Sequence, residues 1–125
     1  MKIKEVKSHI IQYDLKEELG YSQQYYQKRT GHLVEVVTDE GITGWGECFG
    51  PGNVAIANKV IVERVIQPMI LGENPLNRDV LWHKVYNLLR DHGQKGMPIQ
   101  ALSGVDIALW DCLLYTSPSP RDLYR

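Results

Sequence analysis

Up to Cys48 the apolar residues of this chain recur at close to every second position. Beyond Asn53 they recur at every third or fourth. That change of period limits the fold tightly, because a period of two builds strands and a period near 3.6 builds helices. Lys2–Tyr13, KIKEVKSHIIQY, mixes β-branched residues with lysines in partial alternation, the pattern of a strand with one wet face. GHLVEVVTDEGITGWGEC then predicts a hairpin. Leu33–Thr38 runs out, Asp39–Gly41 turns with a glycine available for positive φ, and Ile42–Cys48 returns. Gly44 and Gly46 flank Trp45 in the return strand, where glycine marks a bulge or the close approach of another backbone. Between these strands, Asp14–Thr30 follows neither period. It reads as a long polar loop, the kind of segment that is functional or mobile in a compact domain.

The second half is helical in pattern. After the turn FGPGN, Asn53 is placed to cap a helix whose apolar residues are Ile56 and Val60 with Val54, Ile61 and Val65, and which Pro68 ends. A second helix carries Leu81, Val85, Leu88 and Leu89 as its stripe and stops at Gly93. Asp79 lies early in it and Arg90 late, as the helix dipole favours. A third starts near Pro98 with Ala101, Val105, Ala108, Leu109 and Cys112 on one face. The predicted fold class is α+β: a three-stranded antiparallel meander followed by three helices.

Fourteen basic against fifteen acidic residues give a net charge of -1. That balance lacks the clustered positive field that nucleic acid or an anionic membrane surface requires. The N-terminus MKIKEVKSH carries charges where a signal peptide needs an apolar core, no apolar run is long enough for a bilayer, and Cys48 and Cys112 match no metal spacing. A cytoplasmic chain with reduced thiols is the expectation. Motifs for phosphate binding, zinc hydrolysis and serine catalysis (a Gly-rich loop, HExxH, CxxC, GxSxG) are missing. His9, His32, His83 and His92 are scattered over strand, strand, helix and loop and read as surface or half-buried residues. Glu47, just past Gly-Trp-Gly, reads as a strand-end charge bonded to nearby backbone N–H groups. Tyr21, Tyr25 and Tyr26 line a pocket or merely cover the sheet, and composition does not separate the two.

GITGWGECFGP followed by a helix, then LWHKVYNLLRD, then ALSGVDIALWD together resemble the N-terminal capping domain of the enolase superfamily, in its mandelate racemase/muconate lactonizing branch. The resemblance runs from Met1 to Asp111. NLLRDHGQKGMPIQALSGVDIALWD is most similar to the galactarolactone cycloisomerase type and its acid-sugar relatives. The resemblance implies a partner (β/α)₈ barrel, absent from this chain, whose strand ends hold Mg²⁺ and the bases that remove a proton α to a carboxylate. Such a proton is barely acidic, so the enediolate needs a Lewis acid. The chain has no Lys-x-Lys base motif, no spaced carboxylate trio and no His-Asp dyad, so the fragment alone is expected to be inactive, with no catalytic and no metal-binding residue of its own.

In such a family the cap closes over the barrel mouth and contacts the distal part of the substrate. The corresponding loops here are Leu15–Thr30 and Cys48–Asn53, which makes Tyr21, Tyr25, Tyr26, Phe49 and Pro51 candidate substrate-facing residues; packing of the loop onto the barrel is the alternative for any one of them. The implied parent acts on a small acid sugar or its lactone, first as a cycloisomerase, then as a dehydratase or racemase, and assembles as a homo-oligomer. A standalone binding module is the non-enzymatic alternative. Against it, Val105, Ile107, Ala108, Leu109 and Trp110 make the third helix apolar on most sides, as in a domain that awaits more protein.

After Asp111 the likeness stops. CLLYTSPSPRDLYR has no family counterpart, and Pro118 and Pro120 forbid helix. The segment resembles the translation of sequencing-adaptor DNA joined to a shortened reading frame. The expected division is therefore a capping domain over 1–111 and a non-native tail over 112–125.

Overall fold

The computed structural model describes residues 1–117. β1 (Ile3–Tyr21), β2 (Gln24–Thr38) and β3 (Thr43–Cys48) form one antiparallel sheet in that order. The chain continues through α1 (Val54–Val60), a π-helical stretch (Ile61–Ile66), α2 (Gln67–Ile70), α3 (Arg78–Leu89), a short 3₁₀ turn (Arg90–His92) and α4 (Met97–Thr116). The predicted α+β order of a meander followed by helices is the observed one. α4 continues past Asp111 to Thr116, and Cys112 within it is fully buried. The extended segment expected around Pro118 and Pro120 lies outside the described residues.

The two faces of the sheet differ. Val6 and Ser8 on β1, His32, Val34 and Val36 on β2, and Cys48 on β3 point toward the helices and are buried. Against them pack Val62, Ile66, Leu81, Val85, Val105 and Leu109. Each such aliphatic side chain removed from water stabilises the fold by about 1.5–3 kcal/mol. The glycines of β3 bring α4 close. A Cβ on Gly44 would meet Ala108 O and lie 2.6 Å from Cys112 Sγ; one on Gly46 would meet Gly104 O and lie 2.8 Å from Ala108 N. So Gly44 and Gly46 mark the approach of another backbone, as their position in a strand predicts. The Trp45 N–H between them donates to Asp111 Oδ2 at 2.8 Å, which ties the strand to the helix. α4 is long and apolar enough to cross a membrane by length and composition, with mean hydropathy 1.2. Its Ala101–Cys112 face is instead spent on the sheet, as in a core helix.

Several local expectations need correction. Asp14–Thr30 is no loop. β1 and β2 extend as a hairpin arm through Asp14↔Lys28, Leu19↔Tyr26 and Tyr21↔Gln24, closed by a turn at Ser22 and Gln23. Both faces of the arm are wet, so no alternation announces it; backbone pairing alone carries it.

Asn53 is helical in φ and ψ and makes no side-chain cap bond. The first helix buries Ala55, Asn58, Val62, Ile66 and Ile70, whereas Val54, Ile56, Val60 and Val65 are exposed. On the second helix Leu88 is exposed as well. Pro68 does not end its helix, which runs on to Ile70. The π register explains the tolerance. The Gln67 N–H donates to Val62 O, and the Gln67 side-chain amide donates to Glu63 O at 3.1 Å, the acceptor that an N–H at position 68 would have used. This same turn covers the free edge of β1. The Val6 N–H donates to Gln67 Oε1 at 2.6 Å and the Ser8 N–H to Glu63 Oε1 at 2.9 Å, which closes the edge against pairing with another strand.

Candidate functional site

A cleft of about 350 Å³ opens where the arm of β1 and β2 meets the end of β3. Two local departures from regular sheet create it. Between Asp14↔Lys28 and Leu19↔Tyr26, β1 advances five positions and β2 two, so β1 bulges. The bulge turns Leu15 and Leu19 to the cleft wall. Opposite, the chain leaves β3 through Phe49–Asn53, with Gly52 at φ 61. That turn is held from below: the Asn58 side-chain amide donates to Phe49 O at 2.7 Å and to Gln100 Oε1 at 3.1 Å, and Asn58 is fully buried. Gly50 is buried against α1, where a Cβ would lie 3.2 Å from the Ala55 Cα, so the turn lies flat on the helix.

Of the five candidates from the sequence, Tyr21, Tyr26, Phe49 and Pro51 line this cleft together. Tyr25 does not. It faces an adjoining groove of about 550 Å³, which Tyr26 and Pro51 also border. Phe49 is 67 % exposed and Tyr21 56 % exposed. An aromatic side chain left this open is available to a ligand or to another domain. Tyr21 and Tyr26 are neighbours; desolvation first and then Tyr21 raise the Tyr26 phenol above its usual 10.0.

Lys28 and Arg29 also line the cleft, and sequence reasoning passed over both. They end the polar run just before β2 enters the core, opposite Asp14 and Tyr13 across the ladder. Lys28 lies 3.8 Å from Asp14, a solvent-screened pair. Glu47 sits at the cleft rather than merely ending a strand, and is exposed. The cleft therefore offers two cations and one carboxylate beside an aromatic and aliphatic wall.

Among the described residues, no nucleophile is paired with a base there. Cys48, in the cleft wall, is buried; desolvation pushes its thiol up to about 12, so it stays protonated. His32, expected at the surface or half-buried, is 1 % exposed beneath the sheet. Its Nε2 pairs with Ser8 Oγ at 2.8 Å, and burial lowers its pKa below the usual 6.5. His9 pairs with Glu35 at 2.8 Å on the outer face, away from the cleft residues. Among the described residues, no group of three His, Cys, Asp or Glu side chains could hold a metal ion.

Comparison with known proteins agrees with this architecture. Residues 8–116 match the model of the mandelate racemase / muconate lactonizing enzyme N-terminal domain. The chain is 39% identical over 111 residues to D-galactarolactone cycloisomerase of Agrobacterium fabrum, covering 89% of this chain and 28% of that protein. It is 35% identical over 79 residues to arabinonate dehydratase of Saccharolobus solfataricus, covering 63% of this chain and 21% of that protein. A solved structure of an enolase-superfamily member from Polaromonas sp. JS666 superposes with a TM-score of 0.84 at 30% identity, over 94% of this chain and 31% of that one. The chain thus spans less than a third of the length of these relatives. A family model over most of the sequence, a meander with its helices in the same arrangement, and acid-sugar isomerases and dehydratases among the relatives lead to one conclusion: the chain belongs to the mandelate racemase / muconate lactonizing enzyme family of the enolase superfamily, as its N-terminal domain.

Proposed function

We propose that this chain is the capping and specificity domain of an enzyme that removes the proton α to the carboxylate of an acid sugar or its lactone, with a cycloisomerase outcome. The observation that carries the reading is the convergence of Tyr21, Tyr26, Phe49 and Pro51 with Lys28 and Arg29 on one cleft. Laid over a barrel mouth, this wall excludes water from the reacting end and grips the far end of the substrate. The described residues do not fit a Mg²⁺ site, because no carboxylate or histidine trio converges. In this reading the metal ligands and the base belong to the barrel, no chemical step is assigned to this chain, and the chain alone turns nothing over. The arabinonate dehydratase relative favours an acid-sugar dehydratase as the second reading.

The test is a chimera in which residues 1–116 replace the matching segment of the Agrobacterium fabrum relative. The chimera is expected to turn over D-galactarolactone. Arg29→Ala in it is expected to raise KM about tenfold, the loss of one charge-assisted hydrogen bond, with a smaller change in kcat. A folded chimera that is inactive on acid sugars and their lactones contradicts the proposal.

A further inference from the structure

The turn that carries Phe49 is fastened at its two ends by different means. At the far end α1 takes hold: the Ala55 N–H donates to Gly52 O at 3.4 Å and the Ile56 N–H to Asn53 O at 3.1 Å. The near end lies just past the last pair of the sheet, His32↔Cys48. There the Asn58 amide takes hold, donating to Phe49 O at 2.7 Å and to Gln100 Oε1 at 3.1 Å. Gly50 lets the turn lie within that reach, since a Cβ on it would sit 3.3 Å from Asn58 Nδ2. Asn58 is fully buried, as are Ala55 and Val62 on the same side of the helix. An apolar residue would fill such a place without the cost of desolvating an amide. What the amide adds is direction. Its two N–H groups lie in one plane, and both are committed, one to the turn and one to the first turn of α4. The Phe49 side chain is 67 % exposed, so packing does little to aim it and its backbone decides where the ring stands.

Resting on the acid-sugar reading of the cleft, we infer that Asn58 is a positioning residue for substrate recognition and that Gln100 fixes its aim. Neither residue lines the cleft. They act through the Phe49 carbonyl, which holds the ring over the far, non-reacting end of the substrate while the carboxylate end lies in the barrel. Because the bracket grips main chain, it places whatever side chain stands at position 49. Contacts at the non-reacting end are made alike before and during the chemical step, so their loss raises KM and leaves kcat in place.

The experiment is a double-mutant cycle in the Agrobacterium fabrum chimera, with D-galactarolactone as substrate. Asn58→Ala and Phe49→Ala are each expected to raise KM about tenfold, with kcat changed less than about twofold. The double variant is expected to match Phe49→Ala alone, because a bracket without its ring has nothing to place. Gln100→Ala keeps the bond to Phe49 O and frees the amide to turn, so a rise in KM of about threefold is expected. That variant keeps the buried amide and carries the test if Asn58→Ala does not fold. The rise should vanish in the Phe49→Ala background, and Gln100→Glu, which keeps an acceptor for Asn58, should restore KM. Effects of Asn58→Ala or Gln100→Ala that multiply with that of Phe49→Ala, or that fall on kcat with KM unmoved, overturn the positioning role and leave the acid-sugar reading standing. A folded chimera inactive on acid sugars and their lactones overturns that reading and, with it, this extension.

Discussion

Gly46→Ala isolates the contact on which the fold turns. The new Cβ would meet Gly104 O inside van der Waals distance, with Ala108 N at 2.8 Å and Gly104 C at 3.1 Å. All three are backbone atoms of α4, so no side chain can swing away. The helix has to retreat from β3 by about 1 Å, and a gap of that size forfeits a quarter to a half of the dispersion energy at each contact. The loss spreads over Ala101, Val105, Ala108, Leu109 and Cys112, and it stretches the Trp45–Asp111 hydrogen bond. Overpacking and lost contact together should cost about 3 kcal/mol, a large part of the stability of a small domain. Gly31→Ala is the control. Gly31 lies in β2 with nothing within 4 Å of an added Cβ, and its φ is not in the left-handed region. There alanine should be neutral or gain up to about 1 kcal/mol. Urea unfolding followed by far-UV circular dichroism measures both. A loss below about 1 kcal/mol for Gly46→Ala, or an equal loss for Gly31→Ala, refutes the close-packing argument.

Asn58→Ala removes a buried amide and leaves Phe49 O without its donor; a cost of about 2 kcal/mol is expected, with hydrogen exchange rising across Phe49–Asn53. His32 has its pKa lowered by burial, so below the ordinary 6.5 the unfolded chain binds a proton that the fold refuses. Its contribution is present in full above that pH and lost as pH falls toward the folded value. Urea midpoints near pH 7.5 and pH 5.5 should therefore differ, and His32→Gln should reduce the difference. Cys48 and Cys112 are pushed to about 12 and about 11 by burial. Both thiols should be inert to Ellman's reagent at about pH 8 in the folded chain and react once urea unfolds it. Because these folded pKa values are raised, stability should fall as pH climbs above the ordinary 9.0 toward them.

What the sequence disclosed followed from how each element is buried. The hairpin of Leu33–Cys48 and the Ala101–Cys112 face of α4 each have one dry side, so their periods were plain. The glycines of β3 announced a bulge or a close backbone, and α4 is that backbone. The arm over Asp14–Lys28 is wet on both faces, and pairing without burial leaves no pattern to read. The first helix was rotated in the reading because its buried side holds the small Ala55 and the polar Asn58, while bulky Val54, Ile56 and Val60 face out. Such an inversion fits a helix that also meets a second surface. The aromatic half of the cleft came from the family resemblance. Its cationic half, Lys28 and Arg29, depended on a strand register and a bulge that no local signal reports. Asn58, the anchor of the Phe49–Asn53 turn, gave no sign at all.

The claim that this is one domain of a larger enzyme is tested most directly by reading the source gene beyond the codon for Asp111. The account predicts that the frame continues past α4 into a barrel, with a base-bearing strand and carboxylates ending later strands. A gene that encodes CLLYTSPSPRDLYR and then stops would contradict it, and would leave a cap-like module whose cleft serves binding alone.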